Sequence, residues 1–187
     1  MIDLFPTFIN ANQIQMNFNL FSTTTKEELF NSIYNELTGL GFNIVLQDTS
    51  RPWGGFFLID ESQVTKFIVT YFNDTDQADI RIVNNLSPKI LVVAPKQRLS
   101  WQYHLRRSEI WKVIADSDVA IKSSNTDTEP INETILATGS VIKLEQGVRH
   151  RLIGLDSWGI VAEIWQHTNS TLSNEDDIIR VQDDYSR

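Results

Sequence analysis

The stretch "LSWQYHLRRSEIW", residues 99–111, crowds Gln102, His104 and Glu109 together. In a strand, side chains two apart share a face, so Gln102 and His104 project together. "LRRS" can turn the chain, and Glu109 then opens the next strand, "EIWKVI". Two antiparallel neighbours would set Glu109 beside His104. A second stretch, "LEQGVRHRL" (144–152), places His150 after Gly147 at a strand end. Two imidazoles, a carboxylate and an amide oxygen suit one divalent ion such as Zn, Mn, Fe, Co or Ni. Three or four protein ligands leave positions open for substrate or water. The competing reading of a strand histidine is a hydrogen-bonded core or surface residue. His167 in "WQHTN" is a third candidate, and its loop-like surroundings point to the surface.

Outward from this stretch the chain reads as short strands. "FNIVLQD", "GGFFLID", "VTKFIVTYF", "ADIRIV", "KILVVA", "LSWQYH", "EIWKVI", "DVAIK", "SVIKL" and "GIVAEIWQ" are β-branched or aromatic runs broken by Gly, Pro, Asn and Asp. That spacing is the pattern of an all-β sandwich or barrel. "STTTKEELFNSIYNELTGLG" is the one good helix. Thr24 or Thr25 caps it, Glu27 or Glu28 completes a capping box, and Gly39 and Gly41 end it. Leu29, Phe30, Ile33, Tyr34 and Leu37 form its apolar face. Residues 1–21 carry scattered Phe and Ile, as an arm that packs on a neighbour or a sheet would. "SSNTDTEPINET" (123–134) reads as a loop or hairpin tip. The tail "SNEDDIIRVQDDYSR" is acidic, yet Ile178, Ile179, Val181 and Tyr185 predict that it docks. This predicts two parts: residues 1–45 as arm and helix, and residues 46–187 as a β domain with the docked tail.

The totals bound the function. The sequence has 187 residues, 41% of them apolar and 21% charged, as in an ordinary soluble domain. A net charge of −8 argues against a nucleic-acid partner. It leaves room for an anionic small substrate in a local basic pocket. There is no cysteine, so any metal site must use nitrogen and oxygen ligands. No signal peptide, membrane span, P-loop or Rossmann glycine fingerprint is seen, and a cytoplasmic protein is the expectation.

Taken together the motifs resemble the cupin superfamily, whose first motif is His-x-His-x4-Glu and whose second ends in Gly-x-x-His. The match is Gln102-x-His104-x4-Glu109, then Gly147-x-x-His150. The resemblance is closer to the cupin domain of type II mannose-6-phosphate isomerases. "RPWG" (51–54), Lys89, "LSWQYHLRRSEIW", "EDDIIR" (175–180) and "DDYSR" (183–187) follow that family's landmarks in order. Arg106 stands where the family has a second histidine, "PK" (95–96) where it has Pro-Gly, Glu145 where it has proline, and Ser186 where it has the final glycine. None of these removes a ligand.

The resemblance implies a cupin double-stranded β-helix, a jelly-roll barrel, with a short N-terminal helical appendage. It implies one divalent metal, zinc first, on Gln102, His104, Glu109 and His150. It implies aldose–ketose isomerisation of a sugar phosphate, the proton moving between C1 and C2 through a cis-enediol. The family's nucleotidyltransferase domain has no counterpart here, so sugar-nucleotide synthesis is not expected. Similar small cupins are labelled phosphoheptose isomerases, which leaves the sugar's length open. By position, Glu163 would transfer the proton or orient a hydroxyl, and Arg180 would stabilise the enediolate. Arg107 would add a cation two residues before the ligand glutamate. Lys89, Ser100, Arg51 and Arg151 would serve substrate binding, chiefly its phosphate end. Bland readings stand beside these: Glu163 paired with Arg151 or Arg149, Lys89 as a solvated strand start, and Arg180 as a surface cation. Trp101 and Trp111 read as packing residues, and the Asp176-Asp177 and Asp183-Asp184 pairs as solvated surface. Competing functions are a non-catalytic sugar- or sugar-phosphate-binding cupin and a metal-dependent dioxygenase. Cupins often dimerise through edge strands and swapped arms, so a homodimer is expected, with no membrane partner.

Overall fold

The computed structural model describes residues 20–21, 23–73, 75, 80, 85–167 and 174–185. Most of the N-terminal arm, most of "ADIRIV" and Ser186 lie outside the described residues. Two antiparallel sheets face each other. One has the order β1(Ile44–Asp48), β2(Gly54–Ile59), β3(Lys89–Val93), β10(Gly159–His167), β5(Arg107–Val113), β8(Val141–Leu144). The other runs β11(Ile178–Gln182), β4(Trp101–His104), β9(Arg149–Gly154), β6(Val119–Ser124), β7(Thr134–Leu136). The expected jelly-roll β-sandwich is observed.

Strands β3, β5 and β10 are buried along their whole length. They are covered on both faces, which is why they read as continuous apolar runs rather than alternating ones. Parity sorts their side chains. Ile90, Val92, Ile110, Ile160, Ala162 and Ile164 join a core with the two helices. Leu91, Val93, Trp111, Val113 and Val161 point the other way, into the barrel with Val119, Ile121 and Leu152. Lys89, Arg107, Glu109 and Glu163 share that inward parity.

The helix α1(Lys26–Gly39) is capped by Thr25, whose side chain accepts from Glu28 N while the Glu28 carboxylate accepts from Thr25 N. Leu29, Phe30, Ile33 and Leu37 are buried against the six-stranded sheet, whereas Tyr34 is exposed.

Two expectations are corrected. "VTKFIVTYF" is not a strand: Val64–Tyr71 forms a second helix, α2. Its buried residues Val64, Phe67, Ile68 and Tyr71 recur at helical spacing, which overrides its β-branched composition. Nor are β4 and β5 ladder neighbours. The turn at Leu105 and Arg106 carries the chain from one sheet to the other, so Glu109 meets His104 across the barrel interior. Strands β7, β9 and β11 complete the sheets. β11 pairs with β4, Ile178 opposite His104 and Arg180 opposite Gln102, so the described part of the tail docks.

Candidate metal centre and its pocket

His104 ends β4 and His150 lies near the start of β9, where it is His150 that pairs with Gln102 across the ladder. Glu109 comes from β5 in the facing sheet. All three are buried, and one ligand atom from each lies within 4.8 Å of the others. His104 Nε2 is 3.0 Å from Glu109 Oε1, and His150 Nε2 is 3.4 Å from Glu109 Oε2. The other ring nitrogen of each histidine faces a backbone carbonyl: His104 Nδ1 meets Asp177 O at 3.1 Å and His150 Nδ1 meets Val148 O at 2.9 Å. A carbonyl only accepts, so each Nδ1 carries a proton, and each Nε2 is the ring atom turned toward Glu109.

Glu109 Oε2 and His150 Nε2 are buried with no hydrogen-bond partner. Buried polar atoms seldom go unpaired. Two orphaned polar atoms facing one point are what a divalent cation satisfies, and the nitrogen and oxygen donor set fits one. Gln102 shares the inward face, and its amide oxygen accepts from Ser100 Oγ at 2.6 Å. A carbonyl oxygen has a second lone pair to offer.

A cavity of about 100 Å³ lies against this centre. Arg51, Lys89, Ser100, Gln102, Arg107, Glu109, Glu163 and Arg180 all line it. A second cavity of about 480 Å³ shares the walls at Arg51, Phe56, Ile178 and Arg180. Sequence positions far apart thus converge, those in strands turned inward by parity, Arg51 and Ser100 brought in from the segments just before β2 and β4.

Glu163 does not pair with Arg151 or Arg149. Trp111 Nε1 donates to its Oε2 at 2.9 Å, Trp165 Nε1 donates to Oε1 at 3.3 Å, and Lys89 Nζ stands 3.8 Å away. Burial first, then the nearby Glu109 charge, pushes the Glu163 carboxyl up to about 7 against the pull of Lys89 and Arg107. Burial also opposes ionisation of Glu109, but His104 and Arg107 override it and hold that carboxyl well below its usual range. The Arg107 guanidinium lies on the Trp165 face at 3.8 Å and donates from Nε to Glu109 Oε1 at 3.0 Å. Lys89 is buried over the same ring, 4.0 Å from the Trp165 centroid, not solvated.

Some expected residues fall elsewhere. Arg151 is not brought to the cavity. It follows His150 directly in β9 and so faces the opposite side, fully buried, its Nη1 3.0 Å from Glu129 and its Nη2 3.8 Å from Asp184. His167 is buried rather than on the surface, with Nε2 2.6 Å from Asn85 O. Asp177, expected in solvent, is buried at 4% exposure. Its carboxylate accepts from Leu105 N at 3.1 Å and Arg106 N at 3.0 Å. The signal for it was the "EDDIIR" landmark, whose second aspartate immediately precedes β11. Trp101 and Trp111 pack in the interior, as expected.

A two-sheet jelly roll with a buried His–Glu–His cluster fits a cupin with a metal site. Residues 75–183, more than half of the chain, match the family model described as mannose-6-phosphate isomerase C-terminal, and the chain belongs to that family. Among curated proteins none matches in sequence. Among solved structures the chain is similar to the capsular polysaccharide assembling protein CapF from Staphylococcus aureus, with TM-score 0.50 and 13% identity over 73% of this chain and 34% of that one. CapF with the inhibitor 3-isopropenyl-tropolone gives TM-score 0.51 and 12% identity over the same shares. These likenesses show the fold, and the chain spans about a third of the length of the CapF chains. No helix among the described residues is long and apolar enough to cross a membrane.

Proposed function

We propose that the protein is a metal-dependent aldose–ketose isomerase acting on a sugar phosphate. The observation that supports this reading best is one cavity with Glu109 of the metal-ready cluster in its lining and the Glu163 carboxyl, shifted to about 7, in its wall. A divalent ion held by Gln102, His104, Glu109 and His150 would supply charge stabilisation for the sugar oxygens at C1 and C2. Glu163 takes a proton from one of these carbons and returns it to the other, which a group titrating near neutrality does well. The two indole N–H groups fix its carboxyl plane while it does so. Lys89, buried 3.8 Å from Glu163, steadies charge at the reacting end rather than the phosphate. Arg51 and Arg180 stand in the wall shared with the larger cavity. There their guanidinium groups meet the phosphate with charge-assisted hydrogen bonds. The roles expected for Lys89 and Arg180 are thereby exchanged.

The test is turnover of mannose 6-phosphate, fructose 6-phosphate and sedoheptulose 7-phosphate by protein loaded in turn with Zn, Mn, Co, Ni and Fe. One of these sugars is interconverted with its isomer, and Glu163→Gln lowers kcat about 10²- to 10⁴-fold with sugar binding retained. Binding of a sugar phosphate without turnover under any metal would sink the isomerase reading and leave a binding cupin. Activity that consumes oxygen would point to the dioxygenase class.

A further inference from the structure

The two imidazoles of the metal-ready cluster hold their tautomers by different means. His150 Nδ1 faces the carbonyl of Val148, two residues back on its own strand. That acceptor is local and comes with the turn at Gly147. His104 Nδ1 faces the carbonyl of Asp177, on the segment that leads into β11 at the edge of the five-stranded sheet. The proton of a neutral imidazole sits on one nitrogen, and that nitrogen cannot ligate a metal. The docked C-terminal segment thus supplies the acceptor for His104 Nδ1, while Arg107 Nη2 approaches the Nε2 side at 3.4 Å.

What docks it in this register is the Asp177 side chain. Its two oxygens take the backbone N–H groups of Leu105 and Arg106, at the turn that joins β4 to β5. The same segment reaches the Arg107 guanidinium: Arg107 Nη1 donates to Asn174 O at 3.0 Å, and Arg106 Nη2 donates to Asn174 Oδ1 at 2.9 Å. Beyond β11, Asp184 pairs with Arg98 and Tyr185 Oη donates to Gln97 Oε1 at 2.9 Å. The segment is thus fastened at both ends, and between the fastenings it carries Ile178 and Arg180 into the cavity wall.

We propose that Asp177 is a positioning residue of the metal centre: its carboxylate registers the C-terminal segment on the β4–β5 turn so that its own carbonyl takes the His104 proton, making divalent-metal binding and docking of β11 one coupled event. This rests on the metal-dependent reading above. The coupling is reciprocal by thermodynamic necessity. If docking strengthens metal binding, metal strengthens docking by the same factor.

The experiment titrates Zn²⁺ into the full chain, wild type and Asp177→Asn, against a competing chelator. Circular dichroism and melting of the metal-free proteins show that each is folded. Asp177→Asn keeps the size of the side chain but turns one acceptor into a donor facing a backbone N–H. Its Zn²⁺ dissociation constant rises about 10- to 100-fold, the range seen when the partner that orients a ligand is altered. Nitrogen-15 shifts of the imidazoles then show His104 as a mixture of tautomers while His150 keeps its proton on Nδ1. A residue that merely supports the fold would not separate the two histidines. Asp184→Asn, at the far fastening, weakens Zn²⁺ binding by a smaller factor. Hydrogen exchange of the wild type supplies the reciprocal reading: amides of 178–182 slow when Zn²⁺ is added. Folded Asp177→Asn that binds Zn²⁺ as tightly as wild type overturns the proposal, as does unchanged exchange at 178–182. Wild type that binds no metal overturns it together with the isomerase reading, whereas tight binding without coupling overturns it alone.

Discussion

At the scale of single residues, Glu163 carries the sharpest consequence. Its carboxyl titrates near 7 in the folded protein against an ordinary 4.5, because burial and Glu109 disfavour the charged form. Between those two values the folded state holds a proton that the unfolded chain has released. Stability therefore falls as pH rises from about 4.5 to about 7. In Glu163→Gln this slope is lost, a difference of order 1–3 kcal/mol. Urea unfolding of metal-free protein at pH 5 and pH 8 reads it. An unchanged pH dependence in the variant would show that Glu163 does not carry the shift. Of the inward residues, strand parity made Gln102 and His104 legible, whereas Glu163, Arg107 and Lys89 were legible only through the family resemblance. Asp177 was not. It stands beside another aspartate in a polar tail, and the amides that bury it, Leu105 and Arg106, lie on a distant turn. Arg151 shows the converse: parity already set it opposite His150, and the basic setting of "RHR" masked that.

At the scale of elements, α2 is where composition misled. "VTKFIVTYF" is rich in β-branched and aromatic residues, so its propensity favours a strand. The burial it must satisfy favours a helix. Phe67 is fully buried among Phe42, Tyr71 and Phe72, while Val69 is 58% exposed. In a strand these two would share a face, and in a helix they do not. Phe67→Ala is therefore expected to cost about 3–5 kcal/mol, and Val69→Ala within about 0.5 kcal/mol. Denaturant midpoints of the two variants decide it, and comparable losses at both positions would contradict the helix. The path from β4 to β5 was also hidden. Hydrophobic pattern tells which face of a strand is buried but not which sheet receives it, so the ligand pair was foreseen and the crossing between sheets was not. The capping box at Thr25 and Glu28 was legible because it is wholly local.

At the scale of the molecule, the placement of the ligands couples the site to the fold. Glu109 belongs to the six-stranded sheet, and His104 and His150 belong to the five-stranded one. A cation held by all three bridges the two layers at a point where the structure otherwise leaves Glu109 Oε2 and His150 Nε2 unpaired. In the unfolded chain these ligands, 46 residues apart at the extremes of the set, form no built site, so metal binds the folded state far more tightly. Ligand at 100 times its dissociation constant then stabilises by about 2.7 kcal/mol. For a chain of this size that raises Tm by roughly 5–10 °C. Calorimetry with Zn²⁺ at that ratio should show the rise in wild type and its loss in the His104→Ala, His150→Ala double variant. The control matters because unfolded chains also bind metal weakly, which lowers Tm rather than raising it. An equal rise in the double variant would place the metal elsewhere. No rise with any of the five metals would mean that the two sheets close without a cation between them.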